Sequence, residues 1–113
     1  MKEIEGVYKV EMLGPYGWEQ FSTAFIQDGQ YRGGSAYHFT VGSYRVDGEK
    51  FNMVGNVSQH VEHRPLFGEK DIKNLQIDFK GTIEDDLIVG RASAVSDREY
   101  SLHFRFNRLS ALN

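Results

Sequence analysis

Residues 28–51 read DGQYRGGSAYHFTVGSYRVDGEKF, and this stretch decides the fold. An Asp-Gly pair stands near each end, Asp28-Gly29 and Asp47-Gly48, with Arg32-Gly33-Gly34 between. Asp-Gly favours two-residue hairpin loops, because both central positions take positive φ, which Gly adopts freely and Asp more readily than most residues. Aromatic and β-branched residues dominate between the pairs, as they do in strands. The stretch is therefore strand and turn in quick alternation.

The same period-two pattern extends in both directions. Tyr100, Leu102, Phe104 and Phe106 alternate with Ser101, His103, Arg105 and Asn107; Leu75, Ile77, Phe79 and Ile83 alternate with Gln76, Asp78, Lys80 and Thr82. Phe51, Met53, Gly55 and Val57 form a third apolar set. Each such run has an inside and an outside. Further turn signals stand at Gly14-Pro15, Glu84-Asp85-Asp86 and Ser96-Asp97. The pattern predicts eight strands, at residues 4–13, 18–27, 30–35, 37–46, 50–60, 72–83, 87–95 and 100–109. Residues 61–71, VEHRPLFGEKD, break the alternation at Pro65 and Gly68 and read as a longer loop with at most one helical turn.

Consecutive antiparallel strands joined by short turns make a meander, and eight can close into an up-and-down barrel filled by side chains or holding one small ligand. Closure removes exposed edges from a chain this rich in strand. Gly33, Gly34, Gly42, Gly55, Gly81 and Gly90 fall in or beside strands, where a barrel needs its bends. The fold class expected is all-β, an eight-stranded antiparallel barrel, with residues 1–113 as one domain; at 113 residues there is room for one core.

Composition excludes several classes of function. The net charge is −3 and the Lys and Arg residues are scattered along the sequence, which disfavours direct binding of nucleic acid. With no cysteine, disulfides, thiol catalysis and Cys-based zinc sites are ruled out. The opening MKEIEGVYKV carries acids where a signal peptide has an apolar run, and no apolar stretch approaches a membrane span, so a cytoplasmic protein without membrane contact is expected.

Candidate chemistry is sparse. His60 and His63 make an H-x-x-H spacing beside Glu62, but zinc needs three or four ligands, and the pair reads as part of a solvated loop. There is no Gly-x-Ser-x-Gly elbow, and Arg32-Gly33-Gly34 lacks phosphate-loop spacing. Glu84, Asp85 and Asp86 read as a solvated turn. No catalytic, cofactor-binding or metal residue is assigned, and neither enzyme activity nor a cofactor is expected. Tyr8, Phe25, Tyr44, Phe51, Phe79, Phe104 and Phe106 take alternating positions on the expected inner faces. They either fill the barrel or line a cavity, and filling is expected because a chain of this size has little core to spare.

The segments EGVYKVEM, FIQDGQYRGGSAYHFTVGSYRVDGEKF, LFGEKD, FKGTIEDDLIVGRASA and RFNRL, taken in order, resemble the bacterial GrlR-like family of negative regulators of type III secretion. The resemblance covers nearly the whole chain, and its motifs are mostly structural. It implies a lipocalin-like (calycin-like) barrel, commonly homodimeric, acting by contact with another protein such as a transcriptional regulator. In the family's founding member an exposed Glu-Asp-Glu-Asp turn captures an activator; here the matching turn is Val46-Asp47-Gly48-Glu49-Lys50, without the acidic run. Asp47, Gly48, Glu49 and Lys50 are accordingly the partner-contact candidates. The resemblance also pairs Gly6-Val7-Tyr8 of the first strand with Arg108 of the last, its guanidinium over the Tyr8 ring across the closed end. The alternative reading is a lipocalin-like carrier or sensor of a small apolar ligand inside the barrel.

Overall fold

The computed structural model describes residues 4–14, 17–36, 38–60, 74–96 and 101–111. Eight strands account for its regular structure: β1 (Gly6–Gly14), β2 (Gly17–Gln27), β3 (Gln30–Gly34), β4 (His38–Asp47), β5 (Lys50–Gln59), β6 (Asn74–Glu84), β7 (Leu87–Ala94) and β8 (Ser101–Ala111). Each pairs antiparallel with the next, and β8 returns to β1, so the sheet is a closed barrel in sequence order. The loop expected at 61–71 lies outside the described residues.

Three tight turns share one end of the barrel with both ends of the strand run. In the β2–β3 turn Asp28 and Gly29 have φ of 52° and 76°, the paired left-handed conformation that Asp-Gly supplies. The β4–β5 turn departs from the sequence reading by one residue: Asp47 pairs with Lys50, so the centre is Gly48-Glu49, with Gly48 at φ 62°. This register sets opposite charges across the strands and places Phe51 opposite Val46. A centre at Asp47-Gly48 would have put Glu49 opposite Val46, on the inner face. A carbonyl of each turn also accepts a hydrogen bond from a strand further along the chain: Tyr44 N–H donates to Gly29 O at 2.9 Å, Ile83 N–H to Glu49 O at 2.7 Å, and Arg108 N–H to Asp86 O at 2.8 Å. The closed end is thus stitched all the way round.

The core is aromatic. Phe106 on β8 touches the rings of Tyr8, Tyr31, Phe51, Phe79 and Phe104 at centroid distances between 4.7 and 6.5 Å, and all six rings are at most 2% exposed. Tyr44 stacks on Phe51 at 5.7 Å. Burying one Phe contributes about 1.5–3 kcal/mol, and each well-placed ring pair about 0.5–1.5 kcal/mol more. Glycine makes room for these rings: a Cβ on Gly33 would stand 3.1 Å from the Tyr31 ring, and one on Gly81 would stand 3.0 Å from Phe104 Cζ.

One aromatic expected inside is outside. Phe25 is 55% exposed, whereas Ser22, Ala24 and Ile26 of β2 point inward. The cause is a β-bulge: Val10 pairs with Ser22 but Glu11 with Gln20, which leaves Phe21 without a partner on β1. An extra residue flips the alternation. Phe21 therefore leans on the core from one side of the bulge, and Phe25 is carried to the outer face on the other.

Candidate interaction surface

The closed end gathers the polar residues nearest the core. Tyr8 Oη donates to the Ile4 carbonyl at 2.6 Å, and Glu5 Oε2, largely buried, accepts the Asp28 N–H at 2.9 Å. Arg108 pairs with Tyr8 across the β1–β8 seam, where Leu109 bulges between it and Ser110. Its side chain crosses Gly6, where a Cβ would meet Arg108 Cδ at 2.9 Å, and its Nε donates to Asp86 Oδ1 at 2.9 Å. The side chain is 18% exposed. The acidic turn is thus structural, since Asp86 anchors the last strand to the β6–β7 hairpin.

Burial raises the Tyr8 phenol above its usual range, with Arg108 opposing and Asp86 and Tyr44 adding to the rise. Tyr44 is raised by burial, with Glu5 and Asp28 adding to it. Tyr31, fully enclosed, is raised furthest, again by burial, and only the neighbouring Ser22 favours its anion. The two hydroxyls are not in hydrogen-bonding geometry, and Ser22 Oγ is buried without a protein partner.

The residues expected inside separate cleanly. Tyr8, Tyr44, Phe51, Phe79, Phe104 and Phe106 are in the core, Arg108 caps its closed end, and Phe25 is on the outer surface. Asp47, Gly48, Glu49 and Lys50 are all exposed in the β4–β5 hairpin, so that turn is accessible to a partner. His60 is exposed, its Nε2 3.2 Å from the Ser35 carbonyl and its ring 6.1 Å from Phe39; His63 and Glu62 lie outside the described residues. Among the described residues no three His, Asp or Glu side chains are grouped to hold a metal.

The outer wall has two characters. Over β2 to β5 four apolar side chains are exposed, Phe25 at 55%, Phe39 at 44%, Val41 at 40% and Val54 at 45%, among polar outward residues such as Thr23, Arg32, Ser43 and Asn56. Phe25 is opposite Arg32, and Arg32 opposite Val41. Arg32 lies along its own strand, bonding the Gln30 side chain and the Tyr31 carbonyl. Leu109, 60% exposed, is the bulge residue of β8, beside Ser110, which is opposite Val7.

Across β1, β2 and β8 the outer wall is polar and clipped together. Arg105 Nε donates to Glu11 Oε1 at 2.7 Å, Asn107 Nδ2 donates to the same oxygen at 2.9 Å, and the Arg105 guanidinium lies 4.0 Å from the Trp18 ring centroid. The Arg105 hydrogen bond, aided by Asn107, holds the Glu11 carboxyl below its usual range. Sequence reading missed this outer surface, because parity distinguishes inside from outside but does not say which outward residues become neighbours.

No protein-family model matches the chain, and a search of curated proteins finds no match to it.

Proposed function

We propose that the chain is a non-enzymatic bacterial regulatory protein of the cytoplasm that acts by contact with another protein and works as a homodimer, as its resemblance to the GrlR-like regulators implies. One observation carries this reading: the barrel fills itself with its own rings, while Phe25, Phe39 and Leu109 stand on the outside. Two phenylalanine rings exposed on β2 and β4, with only the short β3 between them, mark a face that meets another molecule. We assign the face to a second copy of the chain, in the isologous contact usual for homodimers, and this leaves the hairpin Asp47–Lys50 and the polar wall for the regulated partner.

Sedimentation velocity of the wild type and of a Phe25→Glu/Phe39→Glu variant tests this. A dimer that the variant converts to monomer, with the barrel's circular dichroism unchanged, is expected. A wild type that is monomeric at every concentration and retains no protein from a bacterial extract would end the reading.

A second reading is favoured by Ser22, whose buried hydroxyl lacks a protein partner and points to the interior beside Tyr31, among Ala24 and Gly33. Buried hydroxyls normally have partners, and the polar head of an apolar ligand would supply one. Native mass spectrometry of the purified protein distinguishes the two, since a carrier would retain a stoichiometric lipid-like ligand and a self-filled barrel none.

A further inference from the structure

The closed register brings together basic residues that are far apart in sequence. Arg45 pairs with Asn52, Asn52 with Lys80, Lys80 with Arg91, and Arg91 with His103. All five are exposed and point outward, so they form one row across β4 to β8. Its last three members, Lys80, Arg91 and His103, occupy the adjacent strands β6, β7 and β8. Arg91 leans along the row's edge, its Nη2 donating to Ser101 Oγ at 2.6 Å. Two carboxylates share this face of β6: Asp78, two residues from Lys80 and opposite Ser93, and Glu84, four residues away at the turn.

Stability alone does not call for such a row. Like charges directly opposite one another destabilise a sheet. Elsewhere on the outer wall the same barrel pairs opposite charges, Glu11 with Arg105 at 2.7 Å and Asp47 with Lys50 in the β4–β5 register. At Lys80 and Arg91 it does the reverse.

We propose that the Lys80–Arg91–His103 row is a docking site for an acidic helix of the regulated protein. The proposal rests on the protein-contact reading and names the chemistry of the partner. Neighbouring strands lie about 4.8 Å apart, and one turn of helix rises about 5.4 Å. A helix laid across the strands with a Glu or Asp on each turn therefore presents its carboxylates at nearly the spacing of the row. Single-stranded nucleic acid fits the site less well. Such ligands are held by open aromatic platforms beside the basic track; here the exposed phenylalanines Phe25 and Phe39 lie on β2 and β4, and the Trp18 ring is already covered by the Arg105 guanidinium.

The test is fluorescence anisotropy with a labelled alanine-based helical peptide carrying Glu on one face, once per turn. Binding is expected at low ionic strength and should fade as salt is added. A Lys80→Glu/Arg91→Glu variant should lose about tenfold or more in affinity, because opposed charges are replaced by like ones across the interface. A peptide of equal composition with its Glu residues spread around the helix should bind several-fold less tightly.

Folding gives an independent readout. Arg91→Glu alone should raise the melting temperature by about 1–4 °C, since it replaces a repulsive cross-strand pair by an attractive one, while binding falls. No peptide binding at low salt, or wild-type affinity in the double variant, overturns the proposal. Tighter capture of an oligothymidylate than of the acidic helix overturns it in favour of nucleic acid. If the peptide fails but the Phe25→Glu/Phe39→Glu variant still breaks the dimer, the docking site is wrong and the broader contact reading stands.

Discussion

Replacing Phe106 by Ala should be among the most damaging single changes in this barrel, and replacing Phe25 by Ala among the mildest of its phenylalanine truncations. Phe106 is fully buried against five other rings. Truncating such a side chain removes its transfer free energy and leaves a cavity, which together cost about 3–5 kcal/mol. For 113 residues the unfolding entropy amounts to about 0.24 kcal/mol per degree, so the melting temperature should fall by about 13–20 °C. Phe25 is 55% exposed and contributes little to the core; its truncation should stay within about 0.5 kcal/mol, or about 2 °C. Differential scanning calorimetry at low micromolar concentration measures both, with a repeat at tenfold higher concentration because Phe25 lies on the face assigned to the second copy. Stability gained through dimerisation depends on concentration, and core stability does not. A Phe25→Ala loss equal to that of Phe106→Ala at the lower concentration would refute the inside–outside assignment and, with it, the bulge at Phe21.

Alkali should weaken the fold through Tyr31: burial raises its folded pKa, so the unfolded chain ionises first, near pH 10. Stability is full below about pH 10 and should fall by about 1.4 kcal/mol per pH unit above it, and Tyr31→Phe should remove that increment from urea melts between pH 10 and 11.5. Arg108→Ala should lower the melting temperature by several degrees, because it breaks the Asp86 bond and uncovers Gly6, whereas Arg45→Ala, on the exposed outer wall, should change it by much less. Equal losses in a thermal-shift assay would show that Arg108 does not hold the seam. Gly90→Ala should abolish soluble expression, since its Cβ would collide with the Lys80 carbonyl and with Gly81 Cα at 2.5 Å; Gly34→Ala, which meets nothing within 4 Å, should express normally.

The strands were legible in the sequence because alternation is a local property. Residues 30–35 read as a strand and β3 is Gln30–Gly34; residues 87–95 read as a strand and β7 is Leu87–Ala94. Asp28-Gly29 was legible for a similar reason, as its two positive φ values are what that dipeptide supplies. What local pattern cannot reveal is an inserted residue. Phe21 and Phe25 are four apart and share a parity, so alternation alone places both on one face; the bulge at Phe21 breaks that phase, and its only cause is the pairing of β2 with β1. The one-residue offset of the β4–β5 turn has the same origin. Asp47-Gly48 is a good turn dipeptide, but keeping Glu49 off the inner face and setting Lys50 against Asp47 favours Gly48-Glu49 as the centre.

Charge is where register changes the reading most. Along the chain, Lys80, Arg91 and His103 are isolated basic residues in a protein of net charge −3, and nothing local joins them. The first link is recoverable from the β6–β7 turn: with Glu84 opposite Leu87, counting back four residues on one strand and forward four on the other brings Lys80 opposite Arg91. The second link is not, because Arg91 meets His103 through the β7–β8 pairing, which no two-residue turn signature fixes. A slip of one residue in that pairing would move His103 to the other side of the sheet and bring Leu102 outward. The burial of Phe104 and Phe106 holds the register against that slip, and so holds the row in line. The aromatic core therefore does more than stabilise the barrel. By fixing which face each β8 residue takes, it determines that three separate basic side chains become one surface, at the expense of the cross-strand repulsion between Lys80 and Arg91.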